Sequence, residues 1–125
     1  MITKKMAVRI AVEAAKNCIE VFEKEYPGDL RPRRALEAAE NWLRNPDDVD
    51  LQRIERLEVA LWRSRDWQGR AAGAATACAC AARAIRHPQS SAAAAMVNEC
   101  FANGLEMHKD YAKTFLSNLI RHTQC

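Results

Sequence analysis

Aromatic side chains are scarce in this chain, at 6% of 125 residues, and the four glycines and four prolines are scattered singly. So little aromatic bulk beside 49% hydrophobic and 28% charged residues argues against a β-sandwich and against a disordered tail, and favours a helical bundle. Scattered glycines leave no phosphate-cradling loop, and neither a Gly-x-Ser-x-Gly elbow nor a His-Glu-x-x-His helix occurs. No apolar run approaches the roughly 20 residues that cross a bilayer, since Arg83 and Arg86 interrupt even the alanine-rich stretch. A strong charge of one sign is lacking too: 19 basic against 16 acidic residues give +3, too slight a bias to argue for a nucleic-acid partner. The five cysteines, Cys18, Cys78, Cys80, Cys100 and Cys125, form an odd set without disulfide-framework spacing, and no signal peptide precedes them. A soluble protein of a reducing cytoplasm is expected.

What is present is helix. The length suits a single domain over 1–125, able to bury a core without a metal or disulfide. The segment Gly69 to His87 is nearly all alanine with small cysteines, and it is apolar on almost every face. Alanine is the best helix former and lets neighbouring helices approach closely, so this helix should run through the middle of the bundle. Ala75, Ala79 and Ala82 should lie where helices touch. Ahead of it, Val8, Ala11, Val12, Ala15, Ile19 and Phe22 repeat at helical spacing, predicting one helix from an N-cap at Thr3 to about Tyr26. Pro27-Gly28-Asp29 makes a turn, and a second helix runs from about Pro32 to Arg44 with Ala35, Ala39, Trp42 and Leu43 inward. Asn45-Pro46-Asp47-Asp48 breaks it, and Asp48 or Asp50 can cap a third helix carrying Leu51, Ile54, Leu57 or Glu58, and Leu61 inward, with Arg53, Glu55, Arg56 and Arg63 wet.

His87-Pro88 should end the central helix, because proline disfavours helical geometry in the residue before it. Ser90 or Ser91 can cap the last helix, whose stripe runs Ala93, Val97, Cys100, Phe101, Leu105, His108, Ala112, Phe115, Leu116 and Leu119 to about residue 122, with Asn103-Gly104 as a kink or a break. The expected architecture is all-α: an antiparallel bundle of five or six helices around the alanine-rich one.

Little in the chain has the spacing that chemistry needs. Cys78 and Cys80 lie two apart on a helix, about 200° from each other, so they cannot chelate one zinc and read as buried core. His87, His108 and His122 form no pair at metal-binding spacing. Glu37 and Glu40 are a nominal acid–base pair, but Arg33 and Arg44 stand four residues from them, which reads as solvated ion pairs. No cofactor and no metal is expected. The sharpest charge feature is Arg31-Pro32-Arg33-Arg34, whose guanidinium forks can grip phosphate or a partner's carboxylates, or else tie down the second helix against Asp29 and Glu37. Trp42 and Trp62 read as packing, whereas Trp67, beside a loop, is the best candidate for a partly exposed anchor.

The run Phe22-Glu23-Lys24-Glu25-Tyr26-Pro27 with Asp29, followed by Pro32-Arg33-Arg34-Ala35-Leu36-Glu37-Ala38 and Trp42, resembles the immunity-5-like family. That family pairs an F-E-x-x-x-P-x-D segment with P-R-x-A-[IL]-E-A and a Trp, and its small helical members are associated with bacterial polymorphic toxin systems. The likeness continues into Ala81-Ala82-Arg83-Ala84-Ile85-Arg86-His87, while Met96 and Cys100 stand where members commonly carry histidines. The resemblance implies a non-enzymatic protein that binds and blocks a toxin. An inhibitor of a host nuclease or defence complex, carried by a phage or mobile element, is the alternative on the same bundle, and a small enzyme is the alternative from another class. The partner-binding face is expected at Asp29, Arg31, Arg33 and Arg34, with Asp47, Asp48 and Trp67 contributing, because loops at bundle ends are free to serve recognition. The expected partner is a protein, not a nucleic acid or a membrane, and the oligomeric state is open.

Overall fold

The computed structural model describes residues 3–105, and all of its regular structure is helical. Helix α1 (Lys4–Lys16) begins as the sequence dictates, with Thr3 Oγ1 accepting from the Met6 amide at 3.1 Å. It does not run on to Tyr26. The chain breaks at Asn17 and Cys18 and resumes as α2 (Ile19–Glu25). No proline or glycine causes this break, and the contacts that hold it are partly local and partly from elsewhere in the fold. The Cys18 thiol donates to the carbonyls of Ala14 and Ala15, and Asn103 reaches across to the Asn17 carbonyl at 3.5 Å. The redirected α2 buries Ile19 and Phe22, the latter the largest fully buried side chain.

Helix α3 (Arg31–Arg44) carries proline in its first turn, where a missing N–H costs nothing, and buries Pro32, Ala35, Leu36, Ala38, Ala39 and Trp42. A single 3-10 turn over Pro46–Asp48 separates it from α4 (Leu51–Arg63). The cap of α4 is Asp50, whose Oδ1 accepts from the amides of Gln52 and Arg53. Asp48 plays no part in it. Leu51 is exposed rather than core, and Glu58 takes an interior position beside Ile54 and Leu61.

The alanine-rich helix α5 (Gly69–Arg83) packs against all five other α-helices of the described residues, so it is the hub that its composition predicts. Ala75, Ala79 and Ala82 are buried in it, as are Cys78 and Cys80. It ends four residues before His87, with Ala84 to His87 forming a turn whose Arg86 and His87 amides both donate to the Arg83 carbonyl. Helix α6 (Pro88–Ala102) then starts at proline, not at a serine cap; Ser91 is instead buried, with no hydrogen-bond partner for its hydroxyl among the described residues. Gly73 lets α6 come close to α5, since a Cβ there would lie 2.7 Å from Phe101 Cδ1.

Asn103-Gly104 ends α6. The Leu105 amide donates to the Cys100 carbonyl and the Gly104 amide to Phe101, a six-to-one and five-to-two closure that requires the left-handed φ of +80° at Gly104. The expected stripe of this helix holds at Ala93 but not at Phe101 or Leu105, which are exposed. Its expected extension through His108 to about residue 122 lies outside the described residues. Short connections make α3 and α4, and likewise α5 and α6, antiparallel neighbours.

Candidate partner-binding site

The turn after α2 and the loop between α4 and α5 meet at one end of the bundle. Asp29 sits at the centre of the junction. Its Oδ1 accepts from the Arg31 amide at 3.2 Å and from Arg31 Nε at 2.9 Å, while its Oδ2 accepts from Arg31 Nη2 at 2.7 Å and from Trp67 Nε1 at 3.0 Å. Arg31 Nη2 also reaches Asp66 at 3.3 Å, and its guanidinium lies 4.7 Å over the Trp67 ring. Trp67 in turn stands edge-on to Phe22 at 5.1 Å, which anchors the cluster in the core. The Arg31 hydrogen bonds hold the Asp29 carboxyl at about 2, and Asp29 raises Arg31 above the ordinary arginine value.

Arg33 forms a second two-pronged pair, with Glu23 of α2, its Nε donating at 2.9 Å. The expected pairing with Glu37 along the same helix is not the one made. Arg44 likewise donates to Asn41 at 2.6 Å rather than to Glu40. Arg34 differs from both neighbours, being exposed and making no ion pair among the described residues. Beside it Leu30 is 49% exposed. The arginine run thus divides by partner: Arg31 clamps the turn, Arg33 ties α3 to α2, and Arg34 faces water.

Asp47 and Asp48 do not join this cluster. They lie in the 3-10 turn beyond the far end of α3, about 20 Å away by the rise of that helix. Asp48 instead helps line a cavity of about 380 Å³ with Asn41, Arg44, Asn45, Asp50 and Arg53.

Three charged partners were not legible as such in the sequence: Glu23, Asp66 and the buried Glu58. Glu58 accepts from Trp62 Nε1 at 2.7 Å and from Arg86 Nη2, and Arg86 also reaches Glu55 at 3.4 Å. Its place on the apolar phase of α4 was the available signal. The free thiols Cys18 and Cys80 are pushed up to about 12, and Cys78 well above its ordinary value, in each case chiefly by burial. Among the described residues no group of three or more His, Cys, Asp and Glu has the arrangement to hold a metal ion, and no helix is long and apolar enough to cross a membrane.

By its fold this is an all-α bundle with one rigidly tied, charged end. No family model matches the chain, and no curated protein or solved structure matches it either.

Proposed function

We propose that the protein is a non-enzymatic binding protein that neutralises a protein partner by occluding its working surface, in the manner of the immunity-5-like proteins it resembles. The observation that carries this reading is the stiffness of the turn at Asp29. Four donor contacts from Arg31 and Trp67 fix that turn, and they hold Leu30 and Arg34 outward beside it. A fixed backbone loses little entropy on docking, which confines that cost to the Leu30 and Arg34 side chains. In this reading Asp29, Arg31, Arg33 and Trp67 form the frame, while Leu30 and Arg34 make contact. The free, buried thiols support placement in a reducing cytoplasm.

The test begins with capture of the partner by the full chain and its identification by mass spectrometry, followed by calorimetry on purified variants. Leu30→Ala combined with Arg34→Ala is expected to weaken binding by about tenfold or more with an unchanged Tm. Arg31→Ala and Arg33→Ala are each expected to lower Tm, because each removes a clamp. Full affinity in the Leu30/Arg34 double variant would reject this end of the bundle as the interface.

A further inference from the structure

A second surface lies on the outward side of α4, away from the turn at Asp29. Gln52, Glu55, Arg56, Val59, Ala60 and Arg63 recur at spacings of three and four, and they form one outward face of α4, opposite the buried Ile54, Glu58 and Leu61. The charge on this helix is set by the rest of the fold. Both carboxylates of α4, Glu55 and Glu58, are taken by Arg86 from the turn after α5, and Asp66 in the following loop is taken by Arg31. Arg53, Arg56, Arg63 and Arg65 are all exposed and have no ion pair among the described residues. A stretch that is nearly balanced in sequence therefore presents a positive face.

Arg56 and Arg63 stand two turns apart, about 10.5 Å along the axis, and between them lie only Val59 and Ala60. Small side chains there allow another helix to approach closely, and a guanidinium at each end can grip a carboxylate. We infer that this face of α4 docks an acidic amphipathic helix of a partner protein, with carboxylates two turns apart on either side of a small apolar strip. A second copy of the chain fits poorly, since it would set arginines against arginines in a protein of net charge +3. A phosphate backbone fits less well than a helix, because no aromatic platform stands among the residues of this face. The inference goes beyond the bundle-end reading and stands independently of it.

The test uses the full chain and a fluorescently labelled helical peptide of about 16 residues, with glutamates seven positions apart around an alanine–leucine strip. A control peptide has the same composition with the glutamates adjacent. Saturable binding is expected by anisotropy, weakened about tenfold or more in Arg56→Gln/Arg63→Gln and weakened by raising salt from about 50 to 300 mM. Thermal melting should show the double variant folded, and Val59→Glu provides an independent block of the apolar strip. Leu30→Ala/Arg34→Ala should bind the peptide as the parent does, which separates this surface from the bundle end. Equal affinity in the Arg56/Arg63 variant, equal binding of the control peptide, or tighter binding of a single-stranded oligonucleotide of matched charge would overturn the inference.

Discussion

Removing Arg86 exposes what the interior position of Glu58 demands. The Glu58 side chain is only 5% accessible, whereas Arg86 is 41% accessible, so the pair is one buried carboxylate covered by a half-wet guanidinium. Without Arg86 the carboxylate keeps a single neutral donor, Trp62 Nε1 at 2.7 Å. Breaking a fully buried pair costs about 3–5 kcal/mol, and water entering through the space Arg86 leaves reduces that here to about 2 kcal/mol. For a chain of this length the loss corresponds to a fall in Tm of about 8 °C. The decisive measurement is a double-mutant cycle with Glu58→Met, followed by chemical denaturation at neutral pH. Methionine fills the same site without a charge, and Arg86 retains Glu55, so Arg86→Ala on that background should cost less than about 0.5 kcal/mol. Equal losses on both backgrounds would show that Arg86 stabilises the fold through something other than Glu58.

Three further outcomes follow from burial and charge. Ala79 is fully buried where α5 meets its neighbours, so Ala79→Leu should overpack the core and cost about 1–3 kcal/mol; an unchanged unfolding midpoint would deny α5 its central place. Asp29, held at about 2 mainly by the Arg31 hydrogen bonds, lies below the roughly 3.9 of an unfolded aspartate. Its contribution is thus complete above about pH 5 and lost as pH falls toward 2. The Tm gap between the parent and Asp29→Asn should narrow across that window, and a constant gap from pH 6 to pH 2 would contradict the account. On a Cys125→Ser background, a thiol reagent at about pH 8 should modify Cys100 in the folded protein and reach Cys18, Cys78 and Cys80 only on unfolding, because burial both shields them and raises their pKa. Rapid native labelling of four thiols would show that the core opens readily.

The sequence by itself determined the secondary structure class and the hub. Helical period, Thr3, Pro32 and the alanine run from Gly69 are local signals, and local signals suffice where capping and propensity act within a few residues. The buried faces of α3 and α5 followed for the same reason. The clustering of Asp29 with Arg31 was likewise within reach, being two residues apart. Tertiary structure alone decided the rest. The break at Asn17 and Cys18 carries no proline or glycine, and its long-range partner Asn103 comes from just beyond α6. Arg33 ignored Glu37 on its own helix for Glu23 on another, and the α4 carboxylates went to Arg86, which stands 28 and 31 positions later. A guanidinium has several carboxylates within reach of its long stem, and which one it meets depends on where other helices dock. Spacing along α4 placed Arg56 and Arg63 outward, but that choice of partners left them, and Arg34 at the other end, without an ion pair among the described residues.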